Sequence, residues 1–389
     1  MAGLRDRLKR INEAGKKVNP PKNFDDSNEI TDLIANGFTP SGYKVYKKNV
    51  ILETSLKLSQ KLPNALKILI PDLANDELPE ISDLVFFDLE TTGLSGGAGT
   101  VAFLAAFGGF ITAKNAAERY KDEFLKLKEK ENKACKNYYL RVTQYLLLDY
   151  PGENDFILNA LLELGNKSSV IISYNGKCFD SQIIKTRCLM NRIKPPVYRH
   201  ADLLHPARRL WKNIINDCSQ ASIEWRILNI KRKDDIPGSL APVIWFDFLK
   251  TGNTKTLIQI SDHNIYDISG LASILRAMIT IAESPLDPGK TRYDIEKLAL
   301  YWRKYSRYQN KENKTDNELI KTGKKILQLA AERNHPRAVY IFAFDLIKTG
   351  DYEEAYRYVK KGLTLYDKES KWHKKLLRRK ERLEKKLKR

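Results

Sequence analysis

The feature that most constrains this chain is the order of its apolar runs between residues 81 and 202. Residues 84–88 form a short apolar run ending in acids, which suits a buried central strand. The segment GLSGGAGT, residues 93–100, turns the chain into a second apolar run at 101–111, and a charged interlude at 112–136 leads to a third at 138–148. PGENDFILNALLELG then reads as a helix with an acidic first turn and a glycine stop. Residues 169–174 are strand-like, SQIIKTRCLMNRI is helical, and 197–202 is a last strand. Consecutive strands can form a meander, whereas strands separated by helices pair in parallel through crossovers. The order predicts an α/β domain in which a mixed sheet carries helices on its faces.

Residues 1–80 are expected to be an N-terminal extension packed on this domain. It has a basic amphipathic start (Leu4, Leu8, Ile11), the polar stretch NPPKNFDDSNE, and shorter apolar pieces around 50–62. Helical segments continue past 202 to about 281, and SPLDPG marks a boundary at 284–289, so the central domain is predicted over 81–283. AVYIFAFDLIKTGDYEEAYRYVKKGLTLY carries small and aromatic residues at the spacing of a tetratricopeptide helix pair, with Gly350 at the turn and Ala355 at the close-packing position. An earlier pair around 292–334 is degraded. These features predict an all-α, tetratricopeptide-like region over 290–366, able to take a protein partner. A basic amphipathic helix is expected over 367–389, with Trp372, Leu376, Leu383 and Leu387 on one face.

A chain of 389 residues can bury a large core, and 42% hydrophobic with 30% charged residues reads as globular. The apolar stretch 101–112 is too short to span a bilayer, and MAGLRDRLKR is basic but lacks the apolar centre of a signal peptide. Cys135, Cys178, Cys188 and Cys218 show neither CxxC spacing nor disulfide density, as expected of thiols in a reducing cytoplasm. Membrane, secreted and zinc-ribbon classes are excluded on this reading, and a cytoplasmic location is expected. The net charge of +20 favours a polyanion, because cations docked on phosphates release counterions. Residues 286–389 hold 29 Lys and Arg against 15 Asp and Glu, a net of +14. That excess reads either as a nucleic-acid surface or as a solvated face that keeps the protein soluble.

Three separated acidic motifs carry the chemistry. Asp88-Leu89-Glu90 lies at the end of the first central strand, where side chains two apart project to one face. In Tyr174-Asn175-Gly176-Lys177-Cys178-Phe179-Asp180 a strand ends in a turn, and Asp180 falls at the start of the next helix. His263 and Asp267 of HNIYD are neighbours one turn apart on a helix. Singly, each reads as a strand end, a helix cap or a surface pair. Together, four carboxylates and one histidine are what a two-metal phosphodiesterase needs, with paired Mg²⁺ or Mn²⁺ ions about 3.5–4 Å apart.

DLETTGL, NGKCFD and HNIYD resemble the three motifs of the DEDD (DnaQ-like) exonuclease superfamily, on an RNase H-like fold. VFFDLETTGLSGGAGTVAFL, ADLLHPARRLWK, PGSLAPVIWFDFL and the HNIYD helix together resemble the YprB-type RNase H-like domain, over roughly 82–280. The resemblance implies that Asp88, Glu90, Asp180 and Asp267 hold two metal ions and that His263 is the general base. Histidine-type members usually space that histidine and the last aspartate by five; here the interval is four, as in tyrosine-type members. The implied activity is 3′–5′ exonucleolytic hydrolysis of single-stranded DNA or RNA. The same site could instead cut internally at particular structures, or stand idle in a nucleic-acid-binding scaffold.

Four further residues are candidate substrate contacts. Thr91 and Thr92 either present backbone N–H groups to a terminal nucleotide or are ordinary turn residues. Asn175 either contacts a sugar or holds its turn. Arg208 opens a basic and aromatic helix, with Arg209, Trp211 and Lys212, that suits a strand-binding surface, although Trp211 reads equally as core. His200 and His205 match no zinc spacing, and Cys178 is expected to be a small buried thiol.

Overall fold

The structure is a computed structural model and describes residues 26–54, 59–73, 77–93, 97–129, 138–165, 168–311 and 317–388. The amphipathic start (Leu4, Leu8, Ile11), residues 94–96 of the glycine-rich segment and Cys135 lie outside the described residues.

Seven strands make one sheet: β1 (Phe38–Pro40), β2 (Val45–Glu53), β3 (Leu84–Thr91), β4 (Ala102–Thr112), β5 (Tyr138–Leu147), β6 (Val170–Ser173) and β7 (Arg199–Asp202). Their spatial order is β1-β2-β5-β4-β3-β6-β7. β3, β4 and β5 pair antiparallel as a meander, while β6 and β7 join the β3 edge in parallel. The helices are α1 (Asp26–Ala35), α2 (Ala113–Arg119), α3 (Lys121–Glu129), α4 (Glu153–Leu164), α5 (Asp180–Met190), α6 (Leu204–Trp211), α7 (Gln220–Arg226), α8 (Ala241–Thr251) and α9 (Thr254–Glu283). The C-terminal region continues with α10 (Ile295–Lys311), α11 (Asn317–Glu332), α12 (Pro336–Thr349), α13 (Tyr352–Leu365) and α14 (Lys371–Leu387). The mixed sheet with flanking helices, followed by a helical region, is an RNase H-like architecture, as the order of apolar runs predicts.

Where only a packed extension is expected, residues 38–53 supply two strands. β2 pairs along its whole length with β5, so the sheet extends beyond the predicted meander. Adjacent lysines in the middle of VYKKNVILE hide the strand, because most of its side chains are only half buried.

The sheet has a core on each face. Leu84 and Phe86 face a core containing Ile268 and Leu271 of α9, whereas Phe87 and Leu89 face one containing α4, α5 and α8 residues. Period-two alternation therefore puts Asp88 and Glu90 on the α9 face. α9 lies close against the sheet because Gly108 of β4 has no side chain: a Cβ there would collide with Ile268 Cγ2 and sit 3.2 Å from Phe86 Cβ. α9 alone among the described helices is long and apolar enough to cross a membrane, yet 61% of its most apolar window is buried inside the protein.

The C-terminal helices are continuous with the α9-side core. Trp211 is fully buried there and its Nε1 donates to Arg292 O at 2.8 Å. Gly350 ends α12 at φ 87°, a left-handed conformation that glycine adopts without strain, and Ala355 is buried on the packed face of α13. Leu376 and Leu383 anchor α14, while Leu387 is exposed.

The Gly108 contact is testable. Gly108→Ala is expected to cost about 1–3 kcal/mol, read as a lowered denaturation midpoint, because α9 has no room to accept a methyl group. Unchanged stability would mean that α9 is not held at this distance.

Candidate active site

The predicted acids converge at one end of the sheet. Asp88 and Glu90 leave β3 on the α9 face, Asp180 opens α5 immediately after the turn that follows β6, and α9 brings His263 and Asp267 across. One ligand atom each from Glu90, His263 and Asp267 lies within 4.8 Å of the others. His263 Nε2 is 3.2 Å from Asp267 Oδ2 and 4.0 Å from Glu90 Oε1. Asp88 belongs to the same cluster, since the charges of Asp267, Asp180 and Glu90 all act on it.

The turn after β6 is built for this purpose. Asp202, buried at the end of β7, accepts from the N–H groups of Asn175 (2.8 Å), Lys177 (3.2 Å) and Leu204 (3.0 Å). Asn175 adopts φ 67°, and a Cβ on Gly176 would come within 2.8 Å of Asp180 Oδ2. The turn thus presses its backbone against the Asp180 carboxylate.

Buried polar contacts fix α9 against the strands. Asn264 Nδ2 donates to Asp88 Oδ2 at 2.7 Å. Gln144 Nε2 of β5 donates to Asn264 Oδ1 (3.0 Å) and Ser261 O (2.8 Å), while Ser261 Oγ donates to Gln144 Oε1 (2.7 Å). A second set comes from the segment before α8. His263 Nδ1 donates to Asp235 Oδ1 at 2.7 Å. Arg232 pairs with Asp267 Oδ1 at 2.7 Å and with Glu224 at 2.7 and 2.8 Å. Gly238 packs against His263, where a Cβ would be 2.7 Å from Nε2.

The electrostatics follow from crowding carboxylates away from water. Burial, then the neighbouring charges, pushes Asp88 well above the ordinary carboxylate value. Burial also raises Glu90 to about 8, against the pull of His263, and Asp180 to about 7, against backbone hydrogen bonds. Burial opposes the charge on His263, but hydrogen bonds to Asp267 and Asp235 and the charges of Asp267 and Glu90 outweigh it and raise the imidazole to about 9. Burial likewise opposes ionisation of Asp267, yet the His263 hydrogen bond and Arg232 hold it below the usual range. The site thus holds an excess of oxygen donors that keep protons unless a cation is supplied. That donor set fits a hard divalent ion.

The remaining candidates are more dispersed. Thr91 Oγ1 donates to Gly93 O at 2.9 Å. Thr92 is spent within the hairpin: its N–H donates to Val101 O and its Oγ1 accepts from Val101 N–H, both at 2.9 Å, so that backbone donor is not open to a nucleotide. Asn175 is exposed, with its N–H held by Asp202. Arg208 is exposed and Trp211 is core. His200 bridges Ser173 (2.7 Å) and Ser181 (3.0 Å), and burial lowers it to about 4. Cys178 is exposed, contrary to expectation, because the turn points it outward while Gly176 faces in. Sequence reading missed Asn264, although it lies inside HNIYD. It also missed Arg232 and Asp235, which sit in an irregular polar stretch with no periodic signal.

Comparison with known proteins bears on the same domain. Residues 132–279 match the model of the RNase_H superfamily. The match includes Asp180, His263 and Asp267 and begins after the strand of Asp88 and Glu90. The chain is 35% identical over 196 residues to the uncharacterized protein YprB of Bacillus subtilis (strain 168), an alignment covering 50% of this chain and 41% of that relative. The central domain thus has an RNase H-like fold, and its residues 132–279 are similar to the RNase_H superfamily.

Proposed function

We propose that this protein is a 3′–5′ exonuclease of the DEDD type, with a catalytic domain at 81–283 that hydrolyses single-stranded nucleic acid with two Mg²⁺ or Mn²⁺ ions. The observation that carries this reading is the meeting of β3, α5 and α9 side chains at one end of the sheet. Asp88, Glu90, Asp180 and Asp267 would hold the ions, and YprB-like residues around them support the assignment. Bound there, divalent cations supply Lewis-acid activation of water and neutralise charge on the leaving 3′ oxygen.

The chain's own residues do the rest. His263 takes the water proton at Nε2, because its Nδ1–H is committed to Asp235. Neutralised carboxylates no longer hold the imidazole doubly protonated, which returns it toward its ordinary range. Asn264 orients the Asp88 carboxylate, and Arg232 keeps Asp267 ionised. Arg208 is the exposed cation available to a phosphate. Thr91 and Thr92 shape the β3–β4 turn, and Asn175 holds the turn beside Asp180. The C-terminal region, read as tetratricopeptide-like over 290–366 with a basic helix beyond, would add affinity for nucleic acid or a protein partner.

The deciding experiment is cleavage of 5′-labelled single-stranded DNA and RNA with Mg²⁺ or Mn²⁺. A ladder shortened from the 3′ end is expected, and it should stall on a blocked 3′ end. Asp88→Ala should reduce cleavage by more than the 10–100-fold typical of an outer-shell partner such as Asn264. His263→Ala should cost about 10²–10⁴-fold. Discrete internal products would make the enzyme an endonuclease, and no cleavage with tight binding would make it a scaffold.

Cation binding is also expected to stabilise the fold in a pH-dependent way. Asp180 and Glu90 have folded values of about 7 and 8, above those of the unfolded chain. Their stabilising protons are fully held below the unfolded values and lost as pH rises through this window. The cation-free protein should therefore melt at progressively lower temperature from acid to mildly alkaline pH. The rise in Tm on adding Mn²⁺ should grow over the same interval and shrink in Asp88→Asn. A Mn²⁺ effect independent of pH and of Asp88 would place the cation elsewhere.

A further inference from the structure

A groove of about 660 Å³ lies between α10, α12 and α14, away from the carboxylate cluster. Its walls carry Lys297 and Lys304 of α10, Arg337 and Tyr340 of α12, and Trp372 and Arg379 of α14. The other cation of the lining, Arg303, is clamped by both carboxylate oxygens of Asp345. Among the described residues the remaining four cations have no carboxylate partner. Glu296 is engaged otherwise, its Oε1 accepting from the N–H groups of Arg337 (2.9 Å) and Ala338 (3.2 Å) at the start of α12.

Arg379 brings a cation and aromatic rings together in the groove. Its guanidinium lies over the rings of Tyr340 (4.9 Å) and Phe344 (4.2 Å), and Nη2 donates to Tyr340 Oη at 3.2 Å. Its Nη1 is buried with no hydrogen-bond partner. Trp372 meets Tyr340 edge-on with centroids 4.9 Å apart, so aromatic surface adjoins the unpaired cations.

We propose that this groove binds a single strand of nucleic acid, with phosphates on Lys304, Arg337 and Arg379 and bases against Tyr340 and Trp372. Unpaired cations beside aromatic faces match the alternation of charge and π-surface along a strand, whereas an acidic peptide would use the cations alone. The groove is also joined to the RNase H-like domain. Tyr301 of its lining receives the Arg209 guanidinium of α6 at 4.9 Å, and α6 begins beside Asp202, which holds the turn preceding Asp180. The polymer named here rests on the nuclease reading; the site itself rests on the groove.

The test uses the full chain with fluorescein-labelled oligo-dT and oligo-U of about 30 nucleotides, followed by anisotropy in chelator so that nothing is cut. Lys304→Glu with Arg337→Glu changes two exposed side chains and should leave the melting temperature intact. Affinity is expected to fall at least about tenfold, and the slope of log K against log salt to become shallower by about 1.4, two contacts at about 0.7 each. Photocrosslinking of wild type to a 5-iodouracil strand should mark Tyr340 or Trp372, which reads the site without any substitution. Equal affinity and slope in the variant, with crosslinks elsewhere, would overturn the proposal. So would a poly-glutamate peptide that depends on the two cations while nucleic acid does not. Cleavage measured in parallel separates the two readings. Groove-dependent binding without cleavage sinks the nuclease and keeps the groove, and undiminished binding with cleavage does the reverse.

Discussion

The site depends on how α9 is held across the sheet. Two of its chemistry-bearing residues, His263 and Asp267, come from this helix and two, Asp88 and Glu90, from β3, so their separation is set by one helix–sheet distance. Gly108 permits the close approach, since any side chain there would strike Ile268. Burial of Ile268, Leu271 and Leu275, one stripe of the helix, drives it onto the sheet and sets which face turns inward only coarsely. The polar contacts among Asn264, Gln144, Ser261 and Asp88 remove the remaining freedom, because each would be left unsatisfied if the helix turned. Specificity of placement thus comes from directional bonds laid over a non-directional driving force.

The same arrangement creates an electrostatic problem. Four carboxylates brought together away from water repel, and burial makes each costlier to ionise. The protein meets this locally with Arg232 and His263, whose positive charges face Asp267, and with N–H groups around Asp180. Asp235 and Glu224 hold those cations from behind. The segment before α8 is therefore part of the site although it belongs to no regular element. Its residues set which carboxylate is ionised and which nitrogen of His263 faces inward.

Much of this was legible in the order of residues. The runs at 84–88, 101–111 and 138–148 fall on β3, β4 and β5, and helices follow where a glycine stop or a polar start predicts them. These elements declare themselves because they are mostly buried, so each keeps a long apolar stretch. β2 is not legible, since most side chains of VYKKNVILE are only half buried and lysines stand in mid-strand. α9 was seen as helix, but its role as the clamp over β3 rests on a glycine in another strand. The sequence predicts Cys178 inside, yet it lies outside, because the turn puts Gly176 inward.

Read alone, the sequence places each candidate acid locally: at a strand end, a helix start, and one helix turn. Those are local properties, governed by periodicity and turn chemistry. Only the tertiary structure decided that Asp88, Asp180 and Asp267 share one site, that Asn264 and Arg232 attend them, and that Thr92 is spent in its hairpin. It also decided that lysines, arginines and aromatic rings from α10, α12 and α14 face a common groove. Such relations join residues far apart in the chain. They are set by how surfaces pack, and no short window of sequence encodes a packing distance.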